Sequence, residues 1–487
     1  MKPVSLRKMA LGCCFLALIT GGIACEKLVA VPANAGGQLV TALVFTDSVN
    51  ATAGVLGLYT SPSIYNRDME LYTGMTGDEL LYTGVNPVNL QISRDSLYAG
   101  TTTLPSPVSD LWASTYSGTS IYQANAALEG LAADADSALS TAYRNQLIGE
   151  CEVVRAFYYF NLVNVYGGVP LVTGTFFQTN MTLPRASVDT VYGQITKDLL
   201  DARARMSAAY PSPGRLRPNR YTADALLART YLYRGQWDSA LIRADTVIRS
   251  GLYSLTPSLD NVFLDGSPEA IWQVGSSSTS SPKTPPGNNP YLPGYVGGLP
   301  SFALTQNVLQ AFETGDTRKT RWTGSATGIV FDIDPVTGTG NVSFLTYPYS
   351  NKYRNLGNAI YNNTTEDLMM IRLAEMYLIR SEARARLGDL AGAMQDVNTI
   401  RSRAGLTAPV TAATLPDALG LILHERQVEL FCEWGHRWMD LKRMDSINPV
   451  LTREKPSVWP ADGHLALYPI SFGEIQADPY LKQNPGY

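Results

Sequence analysis

Positive charge is scarce in this chain of 487 residues. Its 38 lysines and arginines face 42 acidic residues, and charged residues of both signs make up only 16%. A basic face able to neutralise successive phosphates is therefore missing, which excludes a nucleic-acid partner. Histidine is rarer still, at three residues. None of His424, His436 and His464 stands beside a nucleophile motif, and neither a G-x-S-x-G elbow nor a G-x-x-x-x-G-K-[ST] phosphate loop occurs. His424-Glu425 opens like a zinc-protease helix, but Val428 stands where the second histidine is needed one turn later. No residue set implies a metal or cofactor, and the chain reads as a non-enzyme. Long apolar runs are also lacking: beyond the N-terminus no stretch approaches the ~18 apolar residues of a membrane-spanning helix.

What is present suits a stable extracytoplasmic protein. Hydrophobic residues make up 45%, enough for a large core, and 27 tyrosines accompany 41 glycines and 29 prolines. Lys2, Arg7 and Lys8 precede an apolar run from Met9 to Ile19, the pattern of a signal peptide over residues 1–24. Gly22-Ile23-Ala24-Cys25 resembles a bacterial lipobox, which makes Cys25 the expected lipidation site and mature N-terminus. Gly22-x-Ala24 also satisfies ordinary signal peptidase, so simple cleavage stays open. An acylated Cys25 would anchor the chain in the outer membrane through lipid. Cys13 and Cys14 leave with the signal, and Cys151 and Cys432 remain in the body, either as buried small hydrophobes or as a disulfide.

Two blocks read as helices. Apolar residues recur at three- and four-residue spacing over Ile121 to Leu131, Glu150 to Tyr166, Ser187 to Met206, Thr222 to Arg234 and Trp237 to Ser250, within residues 110–250. The second block covers residues 365–444. Each contains the same turn, Gly235-Gln236-Trp237-Asp238-Ser239-Ala240 and Gly388-Asp389-Leu390-Ala391-Gly392-Ala393, in which glycine ends one helix and a small alanine lets the next pack closely. This is the turn of a tetratricopeptide hairpin. Residues 60–107 and 251–364 differ: rich in proline, glycine, asparagine and tyrosine, they predict loops and short strands carried by the helical scaffold. The expected fold is mainly α, a tetratricopeptide-like helical-repeat scaffold with long irregular insertions. Its expected organisation is a linker over 25–40 and a single domain over 41–487.

Several segments carry a resemblance to a known family. Arg155-Ala156-Phe157-Tyr158-Tyr159-Phe160-Asn161-Leu162-Val163-Asn164-Val165-Tyr166-Gly167-Gly168-Val169-Pro170-Leu171-Val172 resembles the signature of the SusD/RagB outer-membrane nutrient-binding lipoproteins. Ala225 to Tyr233, Ile371 to Ala383, the Glu425-Arg426 to Arg443 stretch and the terminus Gln483-Asn484-Pro485-Gly486-Tyr487 are similar to later family segments, in the same order. The resemblance implies a surface-exposed, lipid-anchored protein that binds a nutrient oligomer and delivers it to a SusC-like TonB-dependent transporter. A glycan is the expected cargo, a peptide the alternative; a polysaccharide-cleaving enzyme is a more distant reading. Both readings place the partners at the membrane: oligosaccharide or peptide ligand, transporter and lipid.

Sugar rings stack their C–H faces on aromatic rings and need amide or carboxylate partners for their hydroxyls. Residues of that chemistry in the two irregular regions are therefore the expected ligand site: Tyr65, Tyr72, Asp78 and Tyr82 from the first, Asn288, Tyr291 and Tyr295 from the second. Glu429, Glu433 and Arg437 fall at four-residue steps, which predicts one helix face on which Arg437 holds both carboxylates ionised and so unsuited to general acid catalysis. Trp434 and Trp438 are expected on its packing side.

Overall fold

The computed structural model describes residues 44–45, 47–60, 67–102, 104–116, 120–133, 139–275, 289–295, 298–333, 340–354 and 365–487. The signal segment and Cys25 lie outside them. The first part of the chain runs α1 (Ser48–Leu56), α2 (Asp68–Thr76), β1 (Leu80–Tyr82), α3 (Pro87–Ser93), α4 (Ser109–Tyr116) and α5 (Ile121–Ala133). Then follow α6 (Thr141–Tyr166), β2 (Val169–Pro170), α7 (Phe177–Asn180), β3 (Arg185–Ala186), α8 (Val188–Arg205), α9 (Arg220–Tyr233) and α10 (Trp237–Arg249). A third stretch holds β4 (Ala270–Val274), β5 (Phe302–Leu304), α11 (Gln306–Ala311), α12 (Thr317–Arg321), β6 (Thr323–Ile333) and β7 (Gly340–Ser350). Last come β8 (Leu368–Arg372), α13 (Leu373–Arg386), α14 (Leu390–Arg403), α15 (Leu415–Leu430), α16 (His436–Arg443), α17 (Ile447–Glu454) and α18 (Phe472–Ala477).

Helix α6 is the spine. Ser140 caps it, its hydroxyl accepting from the Tyr143 N–H, and the chain leaves it at Gly167. It is longer than the periodicity predicts, beginning nine residues before Glu150, because Gln146, Leu147 and Gly149 are also buried among neighbouring helices. Stacked on it in sequence are α8, α9 and α10, and α10 packs directly against α13, which packs against α14 and α15. The two helical blocks are thus one continuous array, although the chain leaves it for more than a hundred residues between α10 and α13. Both predicted repeat turns form. Gly235 and Gly388 take left-handed φ of 65° and 90°, and the next residue's N–H donates back into the preceding helix, Gln236 to the Tyr231 carbonyl and Asp389 to that of Arg384. Ala240 and Ala393 are fully buried one turn into the following helices, where a larger side chain would hold the pair apart.

The long insertion is closed at its neck by strand pairing. β4 and β8 pair antiparallel, Val274 opposite Leu368 and Ala270 opposite Arg372, so the chain returns to the array beside the point where it left. Every residue of both strands is buried. Within the insertion, β6 and β7 form an antiparallel ribbon of 11 residues each, far longer than the short strands the composition predicts. Residues 60–107 likewise contain regular structure where loops were expected. All nine residues of α2 are buried, and the helix lacks the one-sided pattern that periodicity detects because neighbours surround it.

The single helix expected through Glu429, Glu433 and Arg437 is broken. α15 ends at Leu430, Cys432 and Trp434 adopt positive φ of 52° and 46°, and the chain restarts as α16 after Gly435. The break drives Trp434 into the core, where its ring meets Phe157 edge-on at 5.0 Å and its indole N–H donates to the Met369 carbonyl at 2.8 Å. It also frees the carbonyls of Glu429 and Phe431, both of which accept from the Lys352 ammonium at 2.8 Å. Cys151 and Cys432 are buried free thiols.

Trp438 is fully buried, with Trp459 and Tyr468 against it at ring separations of 6.0 and 5.9 Å. Trp438→Ala is expected to cost ~3–5 kcal/mol, the usual loss for deleting a large core aromatic, read as a lowered urea midpoint at unchanged slope.

Candidate functional site

The two irregular regions converge. β1 pairs antiparallel with β5, Leu80 opposite Leu304 and Tyr82 opposite Phe302. The ladder continues on both sides: Thr83 N–H donates to the Ser301 carbonyl and Thr305 N–H to that of Glu79. β7 lies next to β5, so the ribbon stands beside the same face.

At this junction Tyr82 is half-buried and held on three sides. Its ring packs on Phe302 at 5.1 Å and folds over Gly84, and its hydroxyl accepts from the Asn86 N–H at 3.1 Å. A Cβ on Gly84 would lie 2.5 Å from that hydroxyl, so the missing side chain is what lets the ring lie down. Tyr295 is 72% exposed and packs partly against Gly298, a few residues before β5. Tyr98 is half-buried and donates to Gln91 at 3.0 Å. Leu81, Val85 and Val88 are exposed around Tyr82, adding an apolar surface that sequence alone does not flag, since isolated aliphatics in a loop carry no pattern.

Other expected site residues are packed into the body. Tyr72 is buried within α2 in the main core. Tyr291 is buried, its hydroxyl donating to Glu70 and its ring 5.1 Å from the Arg67 guanidinium, which itself pairs with Glu70 at 2.6 Å. Asp78 accepts from Arg437 at 3.0 and 2.7 Å and from Asn307 at 2.6 Å, with no exposed carboxylate. Arg437 therefore pairs with Asp78 rather than with Glu429 and Glu433, because the helix break turns it towards α2 and β1. In this conformation Tyr72, Asp78 and Tyr291 fasten the loops to the scaffold, while Tyr82 stays half-buried and Tyr295 exposed. Tyr65 and Asn288 lie outside the described residues.

Beneath the junction sits a dense buried ionic cluster. Arg318 donates to Asp316, Glu425 and Glu429; Arg372 donates to Glu429 and to Glu433 at 2.8 Å; Arg403 bonds Glu269 and Glu429; and Lys352 reaches Glu433 at 2.6 Å. The indole of Trp322 lies within 6 Å of Lys352, Arg372 and Arg403, closing the cluster with an aromatic face. Burial pushes the Glu429 carboxyl up, but the guanidiniums of Arg403, Arg372 and Arg318 outweigh it and hold the group well below the usual carboxylate range. Glu433 is lowered in the same way by Arg372 and Lys352 against its burial. These partners favour the anionic form of both, the reverse of what a proton donor needs. Among the described residues no group of three His, Cys, Asp or Glu could hold a metal ion.

Glu79 behaves in the opposite sense. Burial, with the adjacent Asp78 adding to it, pushes its carboxyl up to about 8. The folded protein thus keeps a proton there that the unfolded chain releases above its ordinary 4.5. That group favours folding at low pH and loses its contribution as pH rises from about 4.5 through about 8. In Glu79→Gln the neutral amide removes this dependence. The parent's melting temperature is expected to fall relative to the variant's across that window, checked by calorimetry at pH 5, 6.5 and 8; parallel curves would show that Glu79 is ionised throughout.

A family model described as "Starch-binding associating with outer membrane" matches residues 79–232, and one described as "SusD family" matches residues 334–454. SusD-like protein P38 of Formosa agariphila is 25% identical over 394 residues, 71% of this chain and 75% of that protein. Among solved structures, a SusD superfamily protein from Bacteroides vulgatus superposes with a TM-score of 0.74 at 18% identity, over 91% of this chain and 100% of that one. A laminarin-binding SusD-like protein gives 0.72 at 23% identity, over 91% and 100%. Tyr82 falls within the first matched region, and Lys352, Arg372, Arg403, Glu425, Glu429 and Glu433 fall within the second.

Proposed function

We propose, starting from the fact that this chain belongs to the SusD/RagB family, that it captures a glycan at the cell surface and delivers it to a SusC-like TonB-dependent transporter of the outer membrane. The observation that supports the reading is the β1–β5 pairing, which joins the two irregular regions and sets the half-buried Tyr82 against Phe302, seven residues after the exposed Tyr295. Starch and laminarin, named for a related family and a similar structure, are glucans, and a face of stacking aromatics suits such rings. Family membership supports binding rather than turnover, and the locked carboxylates supply no acid–base pair spaced across a cleft. Attachment through a lipid on Cys25 is read from the lipobox-like Gly22-Ile23-Ala24-Cys25; no described helix is long and apolar enough to cross a membrane.

Calorimetric titration with gluco-oligosaccharides tests the site. The Tyr82→Ala/Tyr295→Ala variant is expected to bind roughly ten-fold more weakly than the parent, on the scale of about 1.4 kcal/mol per decade. Its circular dichroism should be unchanged. Equal affinity removes both residues from the site, and binding of peptides in preference to any glycan overturns the cargo.

Anchoring is tested separately by Cys25→Ala. The variant is expected to leave the membrane fraction for a soluble or unprocessed form; retention at the parent's level after a carbonate wash rules out lipidation at Cys25.

A further inference from the structure

A second cleft lies away from the loop junction, between α4, the start of α5, the β2–α7 segment and α18. It encloses about 540 Å³, within the range of small-ligand clefts, and is partly open. Its floor is rigid. Trp112 is buried and meets Tyr116 at 5.1 Å and Tyr166 at 5.0 Å, while the Tyr116 hydroxyl donates to the Pro170 carbonyl at 2.7 Å. Its rim is unusually apolar for a surface: Phe177 is 69% and Tyr122 47% exposed, with Phe176 and Met181 also exposed on the short α7 turn. That turn is tied down, since Thr175 donates to Glu129 at 2.8 Å and Asn180 donates to the Gly174 carbonyl at 2.9 Å. A contiguous exposed apolar rim on a fixed scaffold marks a binding surface.

The charged lining comes from one side. Glu474 and Asp478 face the cleft from α18 and its end, Thr175 and Asn180 line it from the α7 side, and no lysine or arginine among the described residues lines it. Glu474 is partly buried and accepts a hydrogen bond from Trp112; burial raises its pKa above the ordinary value. Two carboxyl groups beside aromatic faces can take sugar hydroxyls, whereas a carboxylate or sulfate ligand would meet repulsion with no counter-charge.

We propose that this cleft is a second saccharide site, separate from Tyr82 and Tyr295, that takes one or two uncharged sugar rings between Tyr122 and Phe177 and rejects uronic or sulfated sugars. Glu474 and Asp478 bond the hydroxyls of the bound ring, and Phe177 and Tyr122 supply its stacking faces. Such a site would hold a second stretch of the same polymer, or a second chain, and raise retention through multivalency.

The test uses the mature chain on an array of neutral and acidic oligosaccharides, followed by titration of the strongest neutral one. Tyr122 and Phe177 are both exposed, so Tyr122→Ala/Phe177→Ala should fold normally. It is expected to lose the cleft's binding by roughly ten-fold or more, whereas Tyr82→Ala/Tyr295→Ala keeps that component. Glu474→Gln/Asp478→Asn should relax the rejection of an oligouronide. Neutral-sugar binding unchanged in Tyr122→Ala/Phe177→Ala overturns the proposal, as does a parent that binds only acidic sugars or none. Loss confined to Tyr82→Ala/Tyr295→Ala supports the loop-face reading alone; loss confined to the cleft variant overturns that reading and leaves this one standing.

Discussion

The buried anion pair Glu429 and Glu433 is the constraint around which the rest is arranged. Two carboxylates this deep are intolerable without partners, and the partners come from the insertion and the second helical block: Arg318 and Lys352 from the insertion, Arg372 from its neck strand, Arg403 from α14. The cluster therefore connects the insertion to the helical array through interactions that cannot be satisfied if either moves away. Such a network contributes less net stability than its bonds suggest, because desolvation offsets much of the attraction, but removing one member strands an opposite charge. Its effect is to make one arrangement of the insertion far better than its alternatives.

Continuity of the array follows the same logic. The α10–α13 contact closes the helical stack across the insertion, and the charges repeat along it: Arg229 bonds Glu375 through both guanidinium arms, Arg380 bonds Asp396 and Asp245, and Arg443 bonds Glu382 and Asp440. Each pair except Arg443–Asp440, which lies within α16, joins different helices. With the neck sealed by β4 and β8, the insertion is free to carry irregular structure without weakening the core. The ribbon of β6 and β7 uses that freedom, leaving Ile329 and Phe344 exposed as a cross-strand pair.

The same packing separates fastening from recognition. Tyrosines of similar sequence context have opposite fates: Tyr291 is enclosed with Arg67 and Glu70, while Tyr295, four residues later, stands in solvent. Under the proposed glycan-binding reading, a few accessible aromatics on a fixed frame suit a polymer whose repeating rings offer many weak contacts. The cleft at α7 and α18 is built from elements that sequence patterning treats as ordinary packing.

The repeat turns at Gly235 and Gly388, most helices of both blocks, the burial of Trp438 and the family itself were legible in the sequence, because each depends on local geometry or on a pattern within one segment; Trp434 is buried as expected, but through the break after α15 and not by helical spacing. The long ribbon and the buried α2 were not, since composition alone cannot tell a tyrosine-bearing loop from a strand or a helix surrounded on every side. The partner of Arg437 was misread for a different reason: spacing assigns neighbours only while a helix continues, and the break at Cys432 to Gly435 reassigns it to Asp78, 359 positions away. Which tyrosines stay exposed was likewise decided by tertiary structure alone. Local sequence determines what a side chain can do, but its exposure is set by residues hundreds of positions distant, here by the pairing of β1 with β5 and by the charges that hold the insertion against the helices.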